Sequence, residues 1–307
     1  MNNKDVLKLI KDEEADYVDI RFTDPRGKLQ HVTVVADLVD EDFLEEGFMF
    51  DGSSVAGWKS IDQSDMKLMP QASSAYVDPF YAEKTICINC NVVEPDTMEP
   101  YDRDPRGTAV KAEEYLKSTG IGDTAYFGPE AEFFVFDDVR FQVSMNKVSF
   151  QVDAIDRAWN SDTEYEMCNT GHRPGIKGGY FPVNPIDDAQ EMRSEMLSTM
   201  KRMGMKVDKH HHEVASCQHE LGLIFGSLTH QADELQKYKY VIHNVAHAYG
   251  KTATFMPKPL VGDNGNGMHV HQSIFKDGKN VFAGNGYAGL SDEALYYIGG
   301  IIKHSKA

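Results

Sequence analysis

The spacing of apolar residues predicts a β-rich first part of the chain. YVDIRF at 17–22 alternates apolar and polar positions, which is typical of a half-buried strand. The turn DPRG at 24–27 and the run LQHVTVV at 29–35 follow it, and together they predict a β-hairpin. A short helix is predicted over 4–14, and KTICINCNVV at 84–93 indicates a further strand. We therefore expect a small β-rich domain over residues 1–100.

The pattern changes near residue 101, where helices and longer strands begin. Asp104 is a good N-cap, Pro105 suits the first helical position and Gly120 provides a stop, so this segment predicts a helix. The run TAYFGPEAEFFVF then predicts a buried strand. We expect residues 101–307 to form a second domain, and the class of the whole chain to be α+β.

Helices and strands continue to alternate up to the last residue. One predicted helix places four methionines on one side, at 192, 196, 200 and 203, which we interpret as core packing. Two more helices are predicted over HQADELQKYKYVIHNVAHAYG and SDEALYYIGGIIKHSKA. Strands are predicted in KVDKHHHEVAS, TATFMP and MHVHQSIF, the last followed by a KDGK turn. The chain stops inside the final predicted helix, so we expect a fragment of a longer protein.

Composition excludes several classes of partner. The formal net charge is −17, from 48 acidic and 31 basic side chains among 307 residues. Nucleic acid and anionic membrane surfaces both need a basic footprint, so neither is an expected partner. No apolar run approaches the roughly 20 residues that cross a bilayer, and the N-terminus lacks a leader pattern. We expect a cytoplasmic protein. The CINC motif at 87–90 lies in a predicted strand, where its thiols would face opposite sides, so we expect no zinc or redox site there.

The stretch GPEAEFFVF places Glu130 and Glu132 on one face of the predicted strand. Two carboxylates held that close repel each other, unless one is protonated or a cation lies between them. The alternative is an exposed strand edge at which water solvates both side chains.

Further carboxylates and histidines occur later in the chain. Glu213 and Glu220 follow three histidines in HHHEVASCQHELG, and His269 and His271 alternate after a loop that contains Gly262, Gly265 and Gly267. Sites rich in carboxylates suit Mg²⁺ or Mn²⁺ better than Zn²⁺. The residues alone also allow a solvated strand and a hairpin loop with exposed histidines.

Two more segments are irregular and polar. FDGSS at 50–54 is compatible with a plain Asp-Gly turn, and GHRPGIKGGYFPVNP at 171–185 is a long loop of the kind that often carries function.

Taken in order, these segments resemble bacterial type I glutamine synthetase over the whole chain. The matching blocks are FDGSS with SDMKL, GPEAEFF, NTGHRPGIKGGYFPV, HHHEVASCQHE, YGKTATFMPKP and KPLVGDNGNGMHVHQS. The resemblance implies an N-terminal β-grasp domain over 1–100. It implies an incomplete catalytic domain over 101–307, with a curved antiparallel sheet and flanking helices. It also implies ATP-dependent ligation of ammonia to L-glutamate through γ-glutamyl phosphate, in nitrogen assimilation.

The resemblance implies a role for individual residues. Glu132, Glu213 and Glu220 would hold one Mg²⁺ or Mn²⁺, and Glu130 and His269 a second. Catalysis would rest on Asp51, Tyr180 and Glu213, which with Ser54 form an ammonium pocket. Asn264 and Gly265 would bind glutamate. Nucleotide contacts would come from Asp208, His211, Phe225, His271 and Ser273.

The resemblance also implies self-association into two stacked hexameric rings, with active sites between subunits. Three positions depart from many relatives, namely Asp208, Asn184 and Ile224. The last ligand of the second metal and several substrate-binding arginines would lie beyond residue 307, so we expect this fragment to be inactive alone. A γ-glutamyl-amine (polyamine) ligase and a catalytically silent structural or regulatory relative are the alternatives.

Overall fold

The computed structural model describes residues 1–161, 163–165 and 171–306. Its contacts divide the chain into two compact units. Unit 1 comprises Met1–Phe127, Gly226–Asp233 and His271–Ala307, and unit 2 comprises Gly128–Phe225 and Glu234–Val270. Within the described residues no helix combines the length and the apolar character needed to cross a membrane. The boundary near residue 100 stays a prediction.

The first part of unit 1 is built on a mixed sheet. Helix α1 (Asn3–Asp12) precedes the antiparallel pair β1 (Tyr17–Thr23) and β2 (Leu29–Val35), so the predicted helix and hairpin are confirmed. The next elements are α2 (Glu41–Glu46), β3 (Phe48–Asp51), β4 (Asp65–Pro70), β5 (Tyr76–Val77) and β6 (Thr85–Val93). The strand order is β2-β1-β6-β4-β3, with β5 also on β6, and β1 runs parallel to β6.

Strand β1 is buried on both faces, which corrects the expectation of a half-buried strand. Asp19 and Arg21 occupy its polar positions, yet they are only 0% and 2% exposed. Arg21 Nε donates to Asp19 Oδ2 over 2.7 Å, and its Nη2 donates to Asp78 Oδ2 over 2.9 Å. Charged side chains are tolerated inside a protein when they are paired and hydrogen-bonded in this way.

The two cysteines of CINC lie in the interior of β6. Cys87 and Cys90 are both fully buried. Burial raises the pKa of both thiols, so both stay protonated at neutral pH. Their chemical character is that of small apolar core residues.

Helix α3 (Pro105–Thr119) begins and ends at the predicted signals. The Asp104 side chain accepts a hydrogen bond from Arg106 N over 3.0 Å, and Pro105 is the first helical residue. Gly120 ends the helix with φ of +69°, in the left-handed region that glycine adopts without strain. Asp104 Oδ2 also accepts from Val92 N over 2.9 Å, which joins the helix start to β6.

After α3, the residues that the structure describes form a seven-stranded sheet, a separate hairpin and three α-helices. The strands are β7 (Thr124–Phe136), β8 (Asp138–Ser144), β9 (Lys147–Asp153), β10 (Val207–His212), β11 (Gln218–Leu223), β12 (Gly226–Ser227), β13 (Thr252–Thr254), β14 (Met268–Lys276) and β15 (Lys279–Asn280). The helices are α4 (Gln190–Arg202), α5 (Leu228–Ala248) and α6 (Asp292–His304).

The order of the large sheet is β10-β11-β7-β14-β15, and β12 and β13 also pair with β7. The pairs of β11, β12 and β13 with β7 are all antiparallel. The expected α+β class, with a β-grasp part and a largely antiparallel second sheet, is therefore confirmed. Met192, Met196, Met200 and Met203 are all buried, as expected of core packing.

Candidate metal centre

Three neighbouring strands of unit 2 place acidic and imidazole side chains in one row. His211 of β10 lies opposite Glu220 of β11, and Glu220 lies opposite Glu132 of β7. Directly opposite residues of an antiparallel pair share a face, with Cβ atoms about 4.5–5.5 Å apart. The sheet therefore brings together three residues that are distant in sequence.

Glu213 joins this row from the turn that follows β10. Its Oε1 lies 3.5 Å from His211 Nδ1, and Glu220 Oε1 lies 3.8 Å from His211 Nε2. One ligand atom from each of these three residues lies within 4.8 Å of the other two. Glu213 Oε2 also accepts from Val214 N over 2.8 Å, which fixes the carboxylate at the start of the turn.

Glu132 presents one oxygen to protein donors. Its Oε2 accepts from Gln218 Nε2 over 2.8 Å and from Gly267 N over 3.1 Å. Desolvation raises the pKa of Glu132, and the nearby charges of Glu213 and Glu220 add to the rise. A bound cation would relieve this repulsion, so the carboxylates fit a divalent metal ion.

Glycine at 267 allows His269 to approach Glu132. A Cβ at Gly267 would lie 3.3 Å from Glu132 Oε1 and 3.2 Å from His269 Nε2. Both side chains therefore adjoin the same backbone position. Glu130 precedes Glu132 by two residues in β7, on the same face of the strand.

Only the middle histidine of HHH belongs to the cluster. His210 Nδ1 accepts from Arg193 Nε over 3.2 Å, and His212 Nε2 lies 2.7 Å from Asp156 Oδ2. Burial lowers the pKa of His210. Burial also acts to lower the pKa of His212, but the hydrogen bond and charge of Asp156, together with the Glu213 carbonyl and the charge of Asp187, outweigh it and raise that pKa. The alternation of a strand explains this division, because His211 faces away from its two neighbours.

A bulge in β10 lies just before the three histidines. Val207 pairs with Leu223, but the next recorded pair is His210 with Leu221. Two residues therefore lie opposite Gly222 alone, and one of them is Asp208, a predicted nucleotide residue. Bulges of this kind often occur beside functional sites.

The Tyr238 hydroxyl lies between two strands at the edge of the row. It donates to Ala131 O over 2.7 Å and accepts from Leu221 N over 3.2 Å. Continuing the register beyond Glu132 and Glu220 would pair Ala131 with Leu221 directly. The buried hydroxyl of α5 therefore replaces a strand-to-strand hydrogen bond beside the carboxylates.

Two family models cover the chain around this site. The model described as "Glutamine synthetase, beta-Grasp domain" matches residues 14–95, and the model described as "Glutamine synthetase, catalytic domain" matches residues 102–307. The chain belongs to the glutamine synthetase family. The resemblance to the bacterial type is confirmed by the curated relatives.

Two curated relatives are 75% identical to the chain over the aligned residues. The glutamine synthetase of Rhodobacter capsulatus is 75% identical over 304 residues, which are 99% of this chain and 69% of the relative. That of Cereibacter sphaeroides is 75% identical over 97% of this chain and 64% of its own length. A solved glutamine synthetase of Plasmodium falciparum has a TM-score of 0.93 at 30% identity, covering all of this chain and 60% of that one. The chain thus spans about two thirds of the length of these relatives.

Within this glutamine synthetase fold, Tyr180 lies beside the cluster. Its ring stacks on Phe181 with centroids 4.0 Å apart, and it meets the His211 ring edge-on at 5.8 Å. A Cβ at Gly179 would lie 2.6 Å from Glu213 O, so glycine lets the loop pass close to the cluster. Tyr180 and Glu213, both predicted for the ammonium pocket, therefore belong to one neighbourhood in unit 2.

Asp51 and Ser54, the other two predicted pocket residues, come together in unit 1. Asp51 is the last residue of β3, and the next three residues of FDGSS, Gly52–Ser54, form a single 3₁₀ turn. The Asp51 carboxylate accepts from Ser53 Oγ over 2.6 Å and from Ser54 Oγ over 3.3 Å. The Ser53 hydrogen bonds are the main cause that lowers the pKa of Asp51, so this exposed carboxylate stays ionised.

The predicted glutamate loop is held by Asp263. Its Oδ1 accepts from Asn264 N over 3.0 Å and from Lys177 N over 3.1 Å, and its Oδ2 accepts from Ser216 N over 3.3 Å. A Cβ at Gly265 would lie 2.4 Å from Pro257 O, so only glycine fits there. The loop is therefore fixed to the turn that carries Glu213.

The predicted nucleotide residues are spread over both units. Asp208 and His211 belong to β10. Phe225 is exposed and is the last residue of Gly128–Phe225, the first segment of unit 2. His271 and Ser273 belong to the part of β14 assigned to unit 1.

Sequence reasoning missed the residues that support the cluster. Gln218 lies in the block HHHEVASCQHE and Asp263 in KPLVGDNGNGMHVHQS, but neither is assigned a role there, and Tyr238 lies in none of the matching blocks. Their supporting contacts depend on burial, which is known only once the strands are assembled.

Proposed function

We propose that this chain is part of a cytoplasmic glutamate–ammonia ligase that makes L-glutamine in nitrogen assimilation. The reaction would consume ATP and pass through γ-glutamyl phosphate, which ammonia then attacks. The observation that supports this most directly is the row of His211, Glu220 and Glu132 with Glu213, in a chain of the glutamine synthetase family.

The donor set suits hard divalent cations. Carboxylate oxygens predominate, with imidazole nitrogen as a minor ligand, and this composition favours Mg²⁺ or Mn²⁺. Glu132, Glu213 and Glu220 would hold one ion, and Glu130 and His269 would contribute to a second. When bound, such ions neutralise negative charge on a phosphoryl group during its transfer.

The ammonium pocket would combine residues of two neighbouring subunits. Asp51 carries a carboxylate that stays ionised, so it can attract ammonium and then accept its proton. Ser54 holds that carboxylate, while Tyr180 and Glu213 lie together in unit 2. In the assembly that we propose, two stacked hexameric rings, Asp51 would serve the metal site of a neighbouring subunit.

Binding of the other substrates would fall to the loops and strands around the cluster. Asn264 and Gly265 would bind L-glutamate through backbone and amide groups of the glycine loop. ATP would contact the nucleotide residues Asp208, His211, Phe225, His271 and Ser273.

Steady-state kinetics of the full-length protein test the proposal. We expect ATP-dependent release of phosphate with glutamate and ammonium, and loss of at least 100-fold in rate for Glu213→Gln, because the variant weakens both metal and ammonium binding. A preference for polyamines over ammonium would identify a γ-glutamyl-amine ligase instead. Absence of any glutamate-dependent turnover would favour a silent relative.

A further inference from the structure

The amide of Gln218 connects a metal-binding carboxylate to the glycine loop. Gln218 is the first residue of β11 and is almost fully buried. Its Nε2 lies 2.8 Å from Glu132 Oε2, 3.0 Å from Gly265 O and 3.1 Å from Asn266 Oδ1. Its Oε1 accepts from Ala215 N over 3.2 Å.

Gln218 determines which oxygen of Glu132 is available to a cation. Glu132 Oε2 is occupied by the N–H groups of Gln218 and Gly267. Oε1 and the His269 Nε2 lie 3.3 Å and 3.2 Å from the one position that a Cβ at Gly267 would take. Groups that hydrogen-bond a metal ligand orient it in this manner, and their loss commonly costs 10–100-fold in affinity.

The same amide restrains the loop that we propose for glutamate. Asn266 Nδ2 donates to Met256 O over 2.9 Å, which leaves its Oδ1 facing Gln218. Asn266 N donates to Pro257 O over 2.8 Å, so a backbone hydrogen bond joins the two ends of the loop at 257–266. The bond from Gln218 to Gly265 O then fixes the residue next to Asn264.

Three acceptors compete for the two N–H groups of one amide. A cation on Glu132 Oε1 would draw electron density from Oε2 and weaken the hydrogen bond that Oε2 accepts. The amide would then donate more strongly to Gly265 O and Asn266 Oδ1. Cation binding would therefore tighten the loop, and by reciprocity a ligand that orders the loop would tighten cation binding.

We infer that Gln218 is a positioning residue that couples cation binding at Glu132 to the conformation of the loop at 264–267. The inference rests on the proposed function, because it takes Glu132 as a metal ligand and the loop as part of the glutamate site. It predicts that Mn²⁺ and L-glutamate bind with positive cooperativity that depends on this one amide.

The test is a Mn²⁺ titration of the full-length protein, followed by electron paramagnetic resonance of the free ion, with and without L-glutamate. In the unmodified protein we expect glutamate to tighten Mn²⁺ binding about fivefold or more, the range of ordinary coupling. In Gln218→Met, Mn²⁺ should bind about tenfold more weakly. The effect of glutamate should shrink to less than twofold.

Gln231→Met is the matched control. Gln231 is also a buried glutamine, and its Nε2 has no hydrogen-bond partner among the described residues. It belongs to unit 1 and to none of the predicted sites, so the cooperativity should be retained. Amide hydrogen exchange of residues 258–267 provides a second measurement, namely the effect of Mn²⁺ on the order of the loop. Mn²⁺ should slow this exchange in the unmodified protein and in Gln231→Met, but not in Gln218→Met.

The outcomes separate the two proposals. If the unmodified protein does not bind Mn²⁺, the proposed metal centre is wrong. If it binds Mn²⁺ cooperatively with glutamate and Gln218→Met retains the cooperativity, the role of Gln218 is wrong. If circular dichroism shows that Gln218→Met is unfolded, Gln218→Glu is the variant that tests the role of the amide. It keeps the length and the acceptor for Ala215 N but lacks the amide donors, so retained cooperativity there would equally overturn the inference.

Discussion

Replacement of Tyr238 by phenylalanine should destabilise the sheet beside the metal centre. The substitution removes only the hydroxyl, which donates to Ala131 O and accepts from Leu221 N. Tyr238 and Leu221 are fully buried, and Ala131 is buried too. Both backbone groups would lose their partner in a place that water does not reach.

The expected cost follows from these two groups. A buried polar group without a partner costs about 1–3 kcal/mol, so two such groups cost about 2–6 kcal/mol. At about 2.1 cal/mol/K of unfolding entropy per residue, that loss lowers the melting temperature of a 307-residue chain by on the order of 3–9 °C. The two strands could instead close and bond directly, but they would then displace Glu132 and Glu220, which are the adjoining pair.

Two measurements on the full-length protein distinguish these responses. Thermal unfolding at fixed protein concentration gives the loss of stability, and a Mn²⁺ titration gives the change in the metal centre. Tyr249→Phe is the control, because its hydroxyl bonds Glu195 Oε2 over 2.8 Å at an exposed site and should matter little. If Tyr238→Phe matches this control in both melting temperature and Mn²⁺ affinity, the bridging role of the hydroxyl is refuted.

Three further predictions concern the metal centre and its surroundings. The raised pKa of Glu132 means that protons should compete with the metal for this carboxylate. Mn²⁺ affinity should therefore fall on acidification in isothermal titrations at a series of pH values, and Glu132→Gln should reduce this pH dependence. Gly179→Ala should lower activity at least tenfold, since its Cβ would overlap the cluster backbone, whereas Gly175→Ala, with open space around it, should leave kcat/KM within twofold. Desolvation, with the charge of Asp156 next, raises the pKa of Asp188 to about 6, so the folded protein keeps a proton that the unfolded chain loses above about pH 4. Stability should therefore fall between about pH 4 and 6, and Asp188→Asn should raise the melting temperature at pH 7.5 but not at pH 4; an equal effect at both values would contradict the assigned pKa.

Local signals were sufficient for much of the fold. Asp104, Pro105 and Gly120 specify helix α3 because a cap, a fixed φ and a left-handed stop all act within one segment. The methionine stripe of α4 is equally local, since helical periodicity alone places its members on the buried side. The ordered motifs of the glutamine synthetase family carried the rest of the prediction.

Properties that depend on distant strands could not be predicted. Nothing in YVDIRF indicates that Asp19 and Arg21 would be buried, because their partner Asp78 comes from a different part of the sheet. The sequence analysis predicts no element for the hairpin of β8 and β9, although DVRFQVS and KVSFQVD both alternate apolar and polar residues. Val139 and Val152 at its base pack against a core cluster, but Phe141, Val143, Val148 and Phe150 are exposed, so most of the hairpin carries no burial signal.

The extra residue in β10 has a consequence for how this segment tolerates insertions and deletions. Removing one of the two residues opposite Gly222 would turn the bulge into a regular pair and leave His211 opposite Glu220. An extra residue inserted directly after His210, where the pairing is regular, would instead move His211 to the face opposite Glu220. Lineages should therefore lose the additional residue of the bulge more readily than they gain a residue beside His211.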